Sequence, residues 1–323
     1  MIRIELVYDE RYSCIDNTFF MLMNYLEKDI IYKFAENWAF TYNKKASCKT
    51  IGEKIDSARG NSYYFLKKYQ GIDFKEEYNK DIAINKIISN LSNGKPIVYN
   101  FDMYFCPWSK LYKVSHLTHY CLIIDYDSIA QKFLCADSLL SKKKYRQLDL
   151  NDFYNGFKKI VCYNVNKVND NMLNIDAILD FSLKRIDKLN YENGNMFLQI
   201  KEFGKDILSI NINNEIGIFE DDLTYSPLVL QMSRIRLARI NYLRFLRKII
   251  FTKENDKMID IIKNYESIID KWTKICNLLI KILLTKNEVG LKRLSEEIVS
   301  VAELEKITYQ QLLQYCKHKR IDT

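Results

Sequence analysis

Glycine and proline are scarce in this sequence of 323 residues, with 9 and 3 occurrences. An all-β sandwich or barrel needs a turn roughly every 8 to 12 residues, so this scarcity argues against such folds. The sequence has no run of about 18 consecutive apolar residues, so no membrane-spanning helix is predicted. Charges at Arg3, Glu5 and Asp9 interrupt the apolar core that a signal peptide needs. We therefore expect a helix-rich, cytoplasmic protein with no membrane partner.

Histidine is also rare, with three residues in the whole sequence. The eight cysteines lack the paired short spacings of a zinc ribbon or a compact disulfide framework, so we interpret most of them as small buried residues. The formal net charge of +8 suits an acidic partner. Nucleic acid is not the expected partner, because the sequence has no glycine-rich RNA-binding signature, zinc-finger spacing or basic zipper.

Two kinds of residue pattern divide the chain near residue 165. Apolar and polar residues alternate in short runs before that point, whereas helical spacing prevails after it. Strands are predicted at 2–8, 96–104, 119–126 and 132–136, and helices after Cys14 and at 78–92, 258–279 and 291–312. The last three strands indicate an antiparallel meander. We predict an α+β fold with domains at 1–165 and 166–323, the second a helical cap or bundle.

Cys14 lies just before a predicted helix, where backbone N–H groups and the helix dipole stabilise an anion and lower the pKa of a thiol. His119 begins a predicted strand and is the best-placed base to take the thiol proton. Asp137 ends the next strand, which returns to the sheet edge where His119 lies. Asp125 is the second candidate, but six residues along one strand amount to about 20 Å. The spacing favours Cys14 as nucleophile, His119 as base and Asp137 as orienting carboxylate.

Two other interpretations fit the same part of the sequence. In the first, Cys14 and His119 have only a structural role. In the second, a zinc ion is bound by His116, His119, Cys106 and Cys121. The spacing of these four residues matches no common zinc module, and a helix would be needed to align the two histidines. We therefore expect no metal site.

Two segments carry a resemblance to a known family. They are GKPIVYNFDMYFCPW at 94–108 and HLTHYCLIIDYD at 116–127. Together they resemble the butirosin side-chain acyltransferase family, and the similarity extends over roughly residues 8–165. Trp272 and the helix at 295–306 resemble, more loosely, the helical C-terminal region of the same family. The resemblance implies a papain-like, C39-peptidase-like N-terminal domain with a small antiparallel sheet.

The resemblance also implies an activity. Members of that family act in the biosynthesis of antibiotics and other natural products, and related papain-like enzymes form amides in closthioamide-type pathways. By position, Cys14 would take an acyl or peptidyl group from a carrier-protein thioester and, with His119 and Asp137, pass it to an amine. The implied partners are an acidic carrier protein and a small amine acceptor. The carrier supplies the phosphopantetheine thioester, so the enzyme would need no cofactor of its own.

Two alternatives to acyl transfer stay open. One is a C39-like cysteine peptidase or amidase, because hydrolysis begins with the same acyl-enzyme. The other is a non-catalytic binding or scaffold protein that has kept a papain-like fold.

One position departs from the pattern of C39 peptidases. Those enzymes place a glutamine about six residues before the cysteine to complete an oxyanion hole, and Tyr8 stands at that position here. No glutamine lies upstream of Cys14. We therefore expect the oxyanion to be stabilised by the hydroxyl of Tyr8 or Tyr12, or by the backbone N–H of Cys14 together with Asn17.

Three further residues near the predicted site are candidates for substrate contact. Asp102 would pair with the acceptor amine or, in the structural alternative, anchor its own loop. Trp108, next to Pro107, would form a wall of the pocket or fill the core. His116 would line the same pocket or hydrogen-bond to its own loop.

A cluster of arginines suggests a surface for the carrier protein. Arg236, Arg239 and Arg247 fall on one side of a predicted helix at 3.6 residues per turn. Guanidinium groups bind carboxylates and phosphates in a fork geometry, so this side would suit an acidic carrier and its phosphopantetheine phosphate. The alternative is a charged face that is simply solvated.

Overall fold

The computed structural model describes residues 1–56, 63–141, 144–168, 175–250 and 256–319. Over these residues the α-helices are α1 (Cys14–Tyr25), α2 (Tyr63–Gln70), α3 (Lys80–Ser92), α4 (Leu150–Gly156), α5 (Ile175–Asn193), α6 (Met196–Asp206), α7 (Ile212–Ile216), α8 (Pro227–Ile250), α9 (Asp256–Thr285) and α10 (Gly290–Lys319). The strands are β1 (Thr41–Tyr42), β2 (Ile55–Asp56), β3 (Ile72–Glu77), β4 (Ile97–Asp102), β5 (Thr118–Asp127), β6 (Lys132–Ala136), β7 (Arg146–Asp149) and β8 (Phe157–Val165).

The chain divides into two compact units. The first comprises Met1–Tyr32 and Tyr63–Asp170, and the second comprises Lys33–Ser62 and Asn171–Thr323. The first unit contains the larger sheet, and the second is mainly helical. The α+β prediction, with a sheet-containing N-terminal part and a helical C-terminal part, is therefore confirmed.

The first unit is built around a six-stranded antiparallel sheet in the order β3-β8-β4-β5-β6-β7. The predicted meander of β4, β5 and β6 is present, because these strands are neighbours in the sheet and run in alternating directions. Tyr99, Phe101, Phe133 and Phe153 form the aromatic part of the core between the sheet and its helices. Burial of each such side chain contributes about 1.5–3 kcal/mol.

The segment before α1 differs from the prediction of a strand at 2–8. Only one backbone bond from the N–H of Ile2 to the carbonyl of Ile124 links this described segment to the sheet. The N–H and the carbonyl of Ile4 both bond to the hydroxyl of Tyr145, at 3.0 and 2.7 Å. A side chain thus takes the place of a neighbouring strand, and the strand prediction is wrong.

The second unit has a buried ionic group at its centre. The carboxylate of Glu305 accepts hydrogen bonds from Arg239 and from the indole nitrogens of Trp38 and Trp272. Trp38 lies in the segment 33–62, which is why this segment belongs with the C-terminal helices. The segment lies before residue 165 in the sequence, and the predicted domain bounds of 1–165 and 166–323 stay a prediction.

None of the described helices is long and apolar enough to cross a membrane.

Candidate active site

Cys14 is the first residue of α1, and the chain before it is held firmly in place. Ser13 caps the helix, with its hydroxyl 2.6 Å from a carboxylate oxygen of Asp16. The amide nitrogen of Asn17 donates to the carbonyls of Asp9, Tyr12 and Ser13, and its oxygen accepts the N–H of Asp9. These bonds fix the turn from which the thiol of Cys14 projects.

Thr18 joins the start of α1 to the strand that carries His119. Its hydroxyl lies 2.9 Å from the carbonyl of Cys14 and 3.0 Å from the carbonyl of Tyr120. Tyr120 directly follows His119 in β5. A single hydroxyl therefore bridges the start of α1, at Cys14, and strand β5, next to His119.

His119 is buried, with 2% of its surface exposed. Its Nε2 lies 2.8 Å from Oδ2 of Asp137, and its backbone carbonyl accepts a hydrogen bond from the side chain of Asn100. The ring packs edge-on against Phe101, which pairs with His119 across the sheet. A hydrogen bond also connects His119 with Cys14. Because Nε2 bonds to Asp137, Nδ1 is the nitrogen that remains for the thiol.

Asp137 is buried to the same degree, and four donors surround its carboxylate. Oδ1 accepts the backbone N–H groups of Leu139 and Leu140, while Oδ2 accepts His119 and the indole N–H of Trp108. Burial alone would raise the pKa of Asp137, but the charge and hydrogen bond of His119, together with the other donors, hold it below its ordinary value. The carboxylate is therefore ionised at neutral pH.

The electrostatics favour a charged histidine. Burial lowers the pKa of His119, but the charge and hydrogen bond of Asp137, followed by those of Cys14, outweigh it and raise the pKa to about 10. The attraction between an imidazolium and a thiolate is mutual, so the protonated ring in turn favours the thiolate of Cys14. This arrangement can hold a nucleophilic thiolate at neutral pH.

The structure thus brings Cys14, His119 and Asp137 together within the first unit, as the sequence predicts. Two residues beside these three, Thr18 and Asn100, are not predicted from the sequence. The bond from Thr18 to β5 and the bond from Asn100 to His119 both depend on tertiary pairing. No local sequence signal indicates either bond.

The three side chains predicted to stabilise the oxyanion differ in their exposure and in their hydrogen bonds. Tyr8 is 37% exposed, whereas Tyr12 is buried with its ring edge against Phe20. Asn17 already donates its amide to three backbone carbonyls, so it stabilises the turn before Cys14. A contribution of Asn17 to an oxyanion hole stays a prediction.

Asp102 and His116 pair with each other. The Nδ1 of His116 lies 2.9 Å from Asp102, and its ring stacks on Tyr104 with 4.5 Å between centroids. Asp102 also accepts the N–H of Tyr104 and lies 3.6 Å from the ammonium of Lys158. Burial raises the pKa of Asp102, but the hydrogen bond from His116 and these other contacts lower it below its ordinary value. Asp102 anchors its loop, and its contact with an amine stays a prediction.

The arginine cluster does not form the predicted surface. Arg239 is completely buried, and its guanidinium forms two hydrogen bonds to Glu305 and donates to the carbonyls of Asn37 and Ala39. It lies on the buried stripe of α8 and cannot contact a carrier, so its assignment to docking is wrong. Arg236 is half-buried, whereas Arg247 is exposed and pairs with Glu266.

All eight cysteines are free thiols. Cys106, Cys121 and Cys135 are buried, as expected for small core residues, and Cys48 is exposed. In the described part of the chain, no group of three or more His, Cys, Asp or Glu residues is arranged to hold a metal ion.

Comparison with known proteins gives a family match over the N-terminal half of the chain. The model of the Peptidase_C39 like family matches residues 4–165, which is about half of the chain and includes Cys14, His119 and Asp137. This supports the C39-like, papain-like part of the resemblance. No curated protein matches the sequence. The chain belongs to the Peptidase_C39 like family.

Proposed function

We propose that this protein is a cysteine-dependent acyltransferase that moves an acyl or peptidyl group from a carrier-protein thioester to a small amine. The observation that supports it best is the hydrogen-bonded series from Cys14 through His119 to Asp137. Such a series gives a thiolate with an imidazolium beside it, so a nucleophile and a proton donor are both in place for attack on an acyl group.

In the first step the Cys14 thiolate attacks the carbonyl carbon of the thioester. The tetrahedral intermediate collapses, the carbon–sulfur bond to the carrier breaks, and His119 gives its proton to the departing phosphopantetheine thiolate, which leaves as the thiol. The acyl group is then held on Cys14 as a new thioester. Asp137 keeps the ring of His119 in one orientation throughout.

In the second step the neutral imidazole takes a proton from the attacking amine. The amine nitrogen forms a bond to the acyl carbon, the bond to Cys14 breaks, and the thiolate and imidazolium are restored. The product is an amide, and no cofactor of the protein itself is consumed. The backbone N–H of Cys14, with the hydroxyl of Tyr8 or Tyr12, would support the oxyanion in both steps.

Transfer rather than hydrolysis is supported by two features. The resemblance to the butirosin side-chain acyltransferase family points to an amine acceptor, and Tyr8 stands where C39 peptidases place glutamine. An acidic carrier would suit the formal net charge of +8, with Arg236 and Arg247 as the remaining docking candidates.

A cysteine peptidase or amidase is the second candidate function. The family match supports it directly, since the family takes its name from a peptidase group. Both functions share the acyl-enzyme on Cys14, and they differ in whether an amine or water releases the acyl group.

The test is to incubate the protein with acyl-carrier thioesters of several chain lengths and to record the intact mass. We expect one acyl adduct on the parent, none on Cys14→Ala, and the parent result on Cys48→Ser, which removes an exposed thiol as a matched control. Primary amines are then added. An amide product supports transfer, free acid alone supports hydrolysis, and no adduct with any donor supports the scaffold alternative.

A further inference from the structure

Trp108 lies in the loop between β4 and β5, and its indole points to the site. Its Nε1 lies 2.8 Å from Oδ2 of Asp137, the oxygen that also accepts Nε2 of His119 at 2.8 Å. The ring packs against Phe101, with 6.2 Å between centroids, and Phe101 in turn packs edge-on against His119. Trp108 is thus joined to the base both through Asp137 and through Phe101.

The loop that carries Trp108 is held by its own backbone bonds. The N–H of Met103 bonds to the carbonyl of Leu117 at 2.7 Å, and the N–H of Lys113 bonds to the carbonyl of Tyr104 at 2.9 Å. The N–H of Ser109, next to Trp108, bonds to the carbonyl of Cys106. These bonds hold the loop, and with it the indole nitrogen of Trp108, in place before any substrate binds.

We propose that Trp108 is a positioning residue of the reaction centre, whose indole N–H holds the Asp137 carboxylate in the orientation that binds His119. The proposal rests on the proposed use of Cys14 and His119 in acyl transfer. A carboxylate offers about four lone-pair sites, and the four donors around Asp137 occupy them. Rotation of the carboxylate would break several of these bonds at once.

The proposal predicts a change in the pH profile of the thiol. A hydrogen bond to the ionised form of a carboxylate makes that form harder to protonate. Without the indole N–H, Asp137 takes up a proton at higher pH and the imidazolium loses its counter-charge. The acid limb of Cys14 reactivity should then move to higher pH by about one unit.

The test measures the rate of Cys14 alkylation by iodoacetamide as a function of pH. Trp108→Phe removes the N–H and keeps an aromatic ring, while Tyr99→Phe is the matched control. Tyr99 is a buried aromatic in β4, and its hydroxyl donates to the carbonyl of Phe153, so the control loses a buried hydrogen bond outside the site. We expect the acid limb to shift in Trp108→Phe and to coincide with the parent in Tyr99→Phe. An unshifted limb in Trp108→Phe overturns the proposal.

A second measurement applies if Trp108→Phe does not fold. The protein has three tryptophans, and Trp38 and Trp272 both donate to Glu305 in the second unit. In ¹⁵N-tryptophan-labelled protein, Asp137→Asn should therefore move one indole N–H resonance, because its bond to a charged acceptor is weakened. Three unmoved resonances contradict the proposal. Neither measurement needs an acyl substrate, so failure of acyl transfer and failure of the Trp108 proposal are separate outcomes.

Discussion

The Nε2 atom of His119 lies 2.8 Å from Oδ2 of Asp137, and each side chain is no more than 2% exposed. The carboxylate thereby fixes the ring so that Nδ1 remains for Cys14. A buried imidazolium would be costly by itself, but the ionised partner compensates for its desolvation. We therefore expect this pair to govern both the reactivity of the thiol and part of the stability of the first unit.

Replacement of His119 by alanine should change the pH dependence of Cys14. Without the imidazolium, the pKa of the thiol returns towards the ordinary value of about 8.5, so the alkylation rate at pH 6 should fall by roughly 10²-fold. Iodoacetamide kinetics followed by peptide mapping measure this rate. Cys48 is exposed and serves as the internal control, with the same rate in both proteins. Parent-like alkylation of Cys14 in the variant at pH 6 would argue against the role of His119.

Asp137→Asn should change how stability depends on pH. Because the pKa of His119 is raised from 6.5 to about 10, its contribution is complete below pH 6.5 and is lost as the pH rises towards 10. The free energy of unfolding of the parent should fall over this window, and the fall should be shallower in the variant. Urea unfolding at several pH values measures both slopes. Burial raises the pKa of Glu215 to about 7. Because both proteins contain Glu215, its titration does not contribute to the difference between the two slopes. Equal slopes would contradict the ion pair.

Arg239→Met should destabilise the second unit by about 3–5 kcal/mol, since it leaves the buried carboxylate of Glu305 without its counter-charge. Arg247→Met on the same helix removes an exposed guanidinium and should change the free energy of unfolding by no more than about 0.5 kcal/mol. Urea unfolding compares the two. The double variant Arg239→Met with Glu305→Gln should recover part of the loss. Equal, small effects of both arginine variants would disagree with the buried ion pair.

Gly71→Ala should be more destabilising than Gly94→Ala. Both glycines have a positive φ, of 73° and 70°, so each alanine is strained by about 1–3 kcal/mol. An added Cβ at Gly71 would lie 2.2 Å from the carbonyl oxygen of Asn166, whereas at Gly94 the nearest atom is the Tyr25 hydroxyl at 4.0 Å. The shift in urea midpoint measures the difference. A larger effect at Gly94 would contradict the close approach of the backbone at Gly71.

The proximity of Cys14, His119 and Asp137 could be predicted because its sequence signals are local. A cysteine at a helix start and a histidine at a strand start are visible in the sequence, and an antiparallel partner strand brings Asp137 back to the same edge. In the structure β6 pairs with β5 so that Ala136 lies opposite Leu122, which places Asp137 near His119. The alternation of apolar and polar residues, the turn residues and the helix-start signals are sufficient to predict this part of the fold.

The remaining differences depend on distant partners. Ile4 bonds to Tyr145, and Trp38 bonds to Glu305, in contacts that no window along the sequence contains. Arg239 looked like a surface residue because helical periodicity gives the side of a helix but not which side is buried. Strands β3, β7 and β8 are not predicted from the sequence. Strands β3 and β7 carry charged residues. One of them, Glu76 of β3, forms an ion pair with Lys159 of the neighbouring strand β8.

The most direct measurement is selective labelling of the native protein. Less than one equivalent of iodoacetamide is added at pH 6, and peptide mapping compares Cys14 with Cys48. An activated thiolate reacts at this pH, whereas an ordinary exposed thiol is almost fully protonated. We predict that Cys14 carries most of the label although it is less exposed than Cys48. Preferential labelling of Cys48, with Cys14 unmodified, would contradict the assignment of Cys14 as the nucleophile.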